Sequence, residues 1–154
     1  MYPHFIAVDA SSFEDEAHPV AIAWSLADGT IKTTLIQPED DWEDWDYALE
    51  DLHGITRDTL YQRGETPWSV VREMENDLEQ PFLFCEDVER TDLLLEKLYE
   101  ACGREPTVET GRFTSELSDQ RDINDWMLDT AFQHQTCDER VRLMLTLWVE
   151  DNQP

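Results

Sequence analysis

The sequence predicts an α/β fold, because strand-like segments come first and amphipathic helices then alternate with two more strand-like segments. Branched and aromatic residues fill residues 4–9, and an Asp28-Gly29 turn dipeptide lies between two apolar segments. A compact apolar run at residues 81–85 precedes a strongly helical pattern. We expect a mixed sheet flanked by helices, with the hairpin at one side and the first and fourth strands near its centre.

The predicted strands are bounded by turn-forming residues. Residues 4–9, 19–26 and 30–36 are the first three strands, and the Asp-Gly turn joins the second to the third. Pro38 ends this meander, because proline donates no hydrogen bond to a strand ladder. Residues 81–85 are the fourth strand, and residues 107–109 are a short fifth strand.

The predicted helices show apolar residues at helical spacing. The first pattern runs from Trp42 to Leu52 and ends at Gly54, a residue type common at helix C-termini. Thr56 caps the next short helix, and Pro67 begins a third. Further helices are predicted over residues 91–102, 115–132 and 139–149.

The charge of the chain constrains its partners. There are 36 acidic residues and 11 Lys and Arg residues, which gives a net charge of −25 at pH 7. Proteins that bind nucleic acid gain affinity by neutralising phosphates with Lys and Arg, so we expect poor association with long nucleic acid. The acidic surface either keeps the chain soluble or binds a basic protein partner, and both interpretations stay open.

Length and cysteine usage indicate one domain over residues 1–154 in a reducing cytoplasm. A chain of 154 residues suffices for one hydrophobic core. Cys85, Cys102 and Cys137 are far apart and odd in number, so they predict no disulfide framework. The sequence shows neither the roughly 18 consecutive apolar residues of a membrane helix nor a signal-peptide pattern, and we expect no membrane partner.

Five short segments have an informative order. They are VDAS at residues 8–11, LADGTI at 26–31, HGITRDTL at 53–60, FLFCEDVERTDLLLEKL at 82–98 and HQTCDERVRLML at 134–145. Together they resemble the DEDDh 3′–5′ exonucleases, a family of the ribonuclease H-like superfamily. The resemblance covers nearly the whole chain and is most specific in the His-Gly-Ile-Thr segment. It implies a ribonuclease H-like sheet and a metal-dependent nuclease.

The resemblance also implies a metal site. In the family, carboxylates converge on two divalent ions about 4 Å apart, and Mg²⁺ or Mn²⁺ prefers such oxygen ligands. The corresponding ligands here are Asp9, Asp92 and either Asp138 or Glu139. His134 corresponds to the base that takes a proton from the attacking water. On this hypothesis the carboxylates of Asp9 and Asp92 lie within about 7 Å of each other, flanking the metal pair.

The same residues also fit plain structural roles. Asp9 can cap a loop at the end of its strand. Asp92 and Glu139 lie in first helical turns, where an acid favours the helix dipole, and Asp138 can be an N-cap. His53 is more typical of a turn residue than of a catalytic one.

Ser11 departs from the family pattern. It stands where the family has a glutamate ligand, and a short neutral hydroxyl does not bridge two ions. A glutamate introduced at Ser11 is therefore expected to strengthen metal binding.

Two functions stay open. One is a 3′–5′ exonuclease with a weakened metal site that acts on short or single-stranded nucleic acid. The other is a catalytically inactive exonuclease-like protein that serves as an acidic binding or regulatory module.

Overall fold

In the computed structural model, which describes residues 1–117 and 122–152, the strands form a three-stranded sheet in the order β3-β2-β1 and a two-stranded sheet, β4-β5, that is joined to it beside β1. They are β1 (Ile6–Ala10), β2 (Pro19–Ser25), β3 (Ile31–Leu35), β4 (Phe82–Cys85) and β5 (Glu109–Arg112). The first three strands pair antiparallel, and β4 and β5 pair parallel. A single parallel bridge between Phe5 and Phe84 joins the two parts. The predicted α/β class and the hairpin of β2 and β3 are confirmed, and the bridge places β1 beside β4.

Six α-helices surround these strands within the same ranges. They are α1 (Tyr47–His53), α2 (Arg57–Arg63), α3 (Pro67–Asp77), α4 (Val88–Glu100), α5 (Ile123–Asp129) and α6 (Cys137–Asp151). Two single-turn 3₁₀ helices, Phe113–Glu116 and Phe132–His134, lie before α5 and α6. No helix among the described residues is long and apolar enough to cross a membrane.

Alternation along β1 divides the core into two layers. Ile6 and Val8 point to one face of the sheet, where they pack with buried residues of α3 and α4. Phe5 and Ala7 point to the other face, where α6 supplies the apolar side chains Val141, Met144 and Leu147. Asp9 continues the series of Phe5 and Ala7, so its side chain lies on the α6 face.

Side-chain caps decide where two helices begin. The Asp87 carboxylate accepts a hydrogen bond from the Arg90 N–H, so α4 starts at Val88, three residues before the predicted start. Asp46 caps α1 in the same way, and the helix starts at Tyr47. The helix predicted from Trp42 was wrong for its first five residues, 42–46. The aromatic side chains of these residues pack as an irregular segment.

The predicted helix over residues 115–132 is interrupted. Leu117 has an extended backbone at the end of the first 3₁₀ helix, and Asp122 caps a separate helix, α5. Ala131 adopts a left-handed conformation with φ 51°, which separates α5 from the second 3₁₀ helix. Residues 118–121, which this prediction included, lie outside the described residues.

A buried polar cluster fixes the loop that follows β1. The Ser11 hydroxyl donates to Asp44 Oδ2 at 2.7 Å and accepts from the His18 N–H at 3.0 Å. The fully buried His18 ring stacks on Trp42, with 5.1 Å between ring centroids, and its Nε2 lies 3.0 Å from the Asp44 carbonyl oxygen. The cluster ties the end of β1 to the acidic segment before α1.

This cluster predicts a pH dependence of stability. Burial lowers the pKa of His18 below its ordinary value of 6.5, so the unfolded chain binds this proton more readily than the folded chain. As the pH falls below about 7, the free energy of unfolding should therefore fall, by at most about 1.4 kcal/mol per pH unit for this group. Urea unfolding at several pH values from 7 to about 5.5 measures the slope.

A histidine variant tests the source of that slope. His18→Asn should flatten it, because it removes the buried titrating ring. His53 retains a part of the slope in the His18→Asn variant, because burial also lowers the pKa of His53. An identical slope in the wild type and in His18→Asn would contradict the prediction.

Candidate functional site

A cavity of about 320 Å³ opens at the carboxyl end of β1. It lies between α1, α4 and the segment that leads into α6. Its apolar lining includes Leu49, Leu52 and Phe13. Its charged and titratable lining includes Asp9, His53, Asp87, Arg90, His134 and Arg140. We call this cavity the Asp9 pocket.

Asp9 is held by two donors from α6. Its Oδ1 accepts from Arg140 Nη2 at 2.6 Å, and its Oδ2 accepts from the backbone N–H of Cys137 at 3.0 Å. Cys137 is the first residue of α6, so the carboxylate also meets the positive end of the helix dipole. The Asp9 and Arg140 side chains are 11% and 17% exposed. Both carboxylate oxygens are therefore already paired inside a largely buried ion pair.

The structure brings two of the predicted site residues into the pocket. Asp9 and His134 line it, and His134 is exposed to solvent. Asp138 and Glu139 lie in the first turn of α6 and do not line it. Glu139 Oε2 instead pairs with Arg142 Nε at 3.3 Å.

Asp92 does not line the Asp9 pocket. Its Oδ1 accepts a hydrogen bond from the Thr110 hydroxyl on β5. The neighbouring residue Thr91 lines the pocket, so the Asp92 side chain points in another direction from α4. Asp92 is therefore engaged with β5 and is not among the residues that line the pocket.

The side chains around Asp9 do not fit a two-metal centre in this arrangement. Among residues 1–117 and 122–152, no group of three His, Cys, Asp or Glu side chains is placed to hold a metal ion. Both Asp9 oxygens are paired with α6, and the Ser11 hydroxyl points to Asp44. A metal at Asp9 would compete with a guanidinium for the same carboxylate.

The sequence did not identify Arg140 as a residue of the site, and it predicted only a turn role for His53. The turn role predicted for His53 is seen, since its Nδ1 accepts from the Ile55 N–H at 3.1 Å, but its ring also lines the pocket. Burial lowers the pKa of His53, while the Asp9 and Glu50 charges act in the opposite direction. Arg140 had one signal in the sequence: it is a basic residue directly after Asp138 and Glu139 in the HQTCDERVRLML segment.

Arg90 holds the outer wall of the pocket. Its guanidinium donates to the carbonyl oxygens of Ser12 and Glu14, and it lies 5.9 Å from the centre of the Phe13 ring. Phe13 is 76% exposed. An aromatic face is thus presented to solvent at the mouth of the pocket.

Comparisons with known proteins define the class of fold. No family model and no curated protein matches the sequence. Solved structures do match: E. coli exonuclease I in complex with a dA16 oligonucleotide (11% identity, TM-score 0.64) covers 94% of this chain and 40% of that chain. Exonuclease I from Methylocaldum szegediense (12%, 0.66) and the metal-free E. coli exonuclease I–ssDNA complex (11%, 0.67) each cover 98% of this chain and 40% of theirs.

At such low identities the likeness concerns the fold. The chain has an exonuclease-like fold of the ribonuclease H-like class, as the sequence predicted. It spans about two fifths of the length of these exonucleases.

The position of Ser11 changes what a glutamate there should do. Ser11 is 1% exposed, and hydrogen bonds from Ser11 and Ser12 hold the pKa of Asp44 below its ordinary value although burial opposes this. We predict that Ser11→Glu lowers the free energy of unfolding by about 2 kcal/mol or more, because it places a second carboxylate beside Asp44. Calorimetric titration with Mn²⁺ should show no gain in affinity over the wild type.

Ser11→Ala is the matched control, since it removes the hydrogen bonds without adding charge. It should cost about 1–2 kcal/mol. A Ser11→Glu variant with unchanged thermal stability and tighter Mn²⁺ binding would restore the expectation drawn from the sequence.

Proposed function

We propose that this chain is an exonuclease-like protein that binds the end of a short single-stranded nucleic acid in the Asp9 pocket, with slow hydrolysis or none. The ion pair between Asp9 and Arg140 carries the proposal, because it engages the central carboxylate of the pocket and leaves the cavity itself open. Residues 1–154 as one domain, and a reducing cytoplasm as its location, belong to the same proposal.

The distribution of charge supports a short ligand. The whole chain carries −25, which opposes a long polyanion. The pocket nevertheless holds Arg90 and Arg140 together with two histidines, although Glu86 and Asp87 line it too, and Arg140 neutralises Asp9. Its volume of about 320 Å³ lies near the lower end of the range for small-molecule sites. A strand end can use this local patch while the rest of the strand stays clear of the acidic surface.

The structural neighbours support nucleic acid as the ligand. One E. coli exonuclease I structure contains a dA16 oligonucleotide, and another is a metal-free complex with single-stranded DNA. The exposed Phe13 ring offers a stacking platform at the pocket mouth, and such stacking tolerates any base.

The arrangement around Asp9 accounts for weak hydrolysis. Two-metal phosphodiester hydrolysis depends on carboxylates that converge on the ions, and here Asp92 is bonded to Thr110 and Glu139 to Arg142. His134 could accept a proton, but a base without an activated water contributes little. Metal-dependent 3′–5′ exonuclease activity would require Asp9 to be released from Arg140.

A second candidate is a catalytically inactive acidic module that binds a basic protein. The net charge of −25 favours it, and so do the exposed carboxylates of Asp40, Asp41 and Glu43 before α1. Such binding would weaken as salt screens the charges, whereas occupation of the Asp9 pocket depends on local contacts. Competition between a short oligonucleotide and the basic partner would show whether the two share a surface.

The main prediction concerns binding and turnover. Fluorescence anisotropy should show that short single-stranded DNA or RNA oligonucleotides bind at low salt, whereas a long duplex does not, because too few cations are present to release many counterions. Gel analysis of the same oligonucleotides with Mg²⁺ or Mn²⁺ should show slow shortening or none. Failure of every oligonucleotide to bind would contradict the proposal. Rapid, metal-dependent shortening from the 3′ end would instead identify an ordinary exonuclease.

A second prediction tests the stacking platform. Phe13→Ala should weaken oligonucleotide binding by about tenfold, since stacking of one base contributes about 1–3 kcal/mol. Thermal stability should hardly change, because the Phe13 ring is mostly exposed. Trp68→Ala is the matched control: Trp68 is an exposed aromatic residue outside the pocket lining, and its removal should leave affinity unchanged. Equal effects of the two variants would argue against stacking at Phe13.

A further inference from the structure

We propose that Arg140 takes the place of a metal ion in the Asp9 pocket, and that its guanidinium and the His53 imidazole bind a phosphate of the ligand without a divalent cation. This inference rests on the proposed function, because it names what recognises the strand end. It concerns recognition and includes no hydrolytic step.

The guanidinium of Arg140 is bonded on one side. Its Nη2 donates to Asp9 Oδ1 at 2.6 Å and to the Val8 carbonyl oxygen at 3.2 Å. Its Nε is buried and has no hydrogen-bond partner among the described residues. An unpaired buried donor is unfavourable, and more so when it carries charge. The Nε–H of Arg140 therefore lacks an acceptor, which Asp9 does not supply.

His53 presents a second donor of the same kind. Because Nδ1 accepts from the Ile55 N–H, the neutral ring carries its proton on Nε2. That Nε2 is also buried and without a hydrogen-bond partner among residues 1–117 and 122–152. Both side chains line the same pocket, and the Asp9 charge acts on the His53 ring. Arg140 Nε and His53 Nε2 are thus two unpaired donors, and Nε belongs to a permanent cation. Such a pair fits an anion with several acceptor oxygens, such as a phosphate.

The ion pair also explains why a metal is disfavoured. A metal that displaced Arg140 from Asp9 would leave a guanidinium that is 17% exposed without its counter-charge. Breaking a largely buried pair in this way is costly, because the remaining charge is poorly solvated. A phosphate bonded to Arg140 Nε and His53 Nε2 would leave the pair intact, but both atoms are shielded from solvent, so the side chains over them must move to admit it.

Asp9→Asn gives opposite results for the two interpretations. The asparagine Oδ1 can still accept from the Cys137 N–H, so the start of α6 stays capped. If Arg140 is the resident cation, removal of the Asp9 charge strengthens its attraction for a phosphate, and a short single-stranded oligonucleotide should bind several-fold tighter. If Asp9 is a metal ligand, the same variant should bind more weakly in Mg²⁺.

The experiment measures oligonucleotide affinity by anisotropy in EDTA and in Mg²⁺. The wild type should bind equally well in both. His53→Asn should weaken binding by about tenfold through loss of the Nε2 donor, while its amide oxygen preserves the bond to the Ile55 N–H. Arg140→Gln should weaken binding at least as much. Arg142→Gln removes the same charge from an exposed position on α6 and should change nothing. Circular dichroism checks that each variant folds.

The outcomes separate this inference from the proposed function. Binding that is lost in EDTA and weakened by Asp9→Asn overturns the role of Arg140, although the proposed function survives. EDTA-resistant binding that His53→Asn leaves unchanged overturns the assigned phosphate site. No oligonucleotide binding in either buffer overturns both. Because Arg140→Gln and Asp9→Asn each break the ion pair and can destabilise the fold, the comparison of EDTA with Mg²⁺ and the His53 variant decide the question.

Discussion

The ion pair between Asp9 and Arg140 joins the central strand to the last helix at the point where the pocket opens. Asp9 also accepts a hydrogen bond from the first N–H of α6. One carboxylate at the end of β1 therefore caps the helix and neutralises the Arg140 guanidinium. The α6 core residues Val141, Met144 and Leu147 then pack on the sheet in a register that this junction sets. Structure and chemistry are coupled here: the group that would bind a metal in a nuclease orients a helix in this protein.

A strongly acidic chain with arginines in its pocket has an uneven distribution of charge. At −25 net charge, long-range repulsion acts on every polyanion that approaches. Arg90 and Arg140 act over short distances and line a cavity of about 320 Å³, together with the carboxylates of Asp9, Glu86 and Asp87. Under the proposed function, a short anionic end would meet these arginines in the pocket, whereas a long strand would also meet the acidic surface. The net charge would then confine recognition to termini.

An exonuclease-like fold does not by itself supply a metal site. Fold does not determine function, because a site depends on which side chains converge. On α4, neighbouring residues point about 100° apart, so Thr91 faces the pocket while Asp92 reaches Thr110 on β5. An arginine supplies a permanent positive charge from the protein itself, with donors in a fixed planar geometry. A metal ion offers more charge but needs free carboxylates, and Asp9 is not free.

Local patterns in the sequence sufficed for much of the fold. Apolar runs bounded by turn residues predicted the strands, the Asp28-Gly29 turn predicted the hairpin, and the turn role predicted for His53 is seen. The site required the tertiary structure, because its decisive contacts are not local. Asp9 and Arg140 are 131 positions apart, and residue type alone cannot tell whether a carboxylate will meet a metal ion or a guanidinium. The direction of the Asp92 side chain depends on the start of α4, which Asp87 caps. The direction of the Ser11 hydroxyl depends on its hydrogen bond to Asp44. A shift of one residue or the loss of one bond would therefore change which side chains share the pocket.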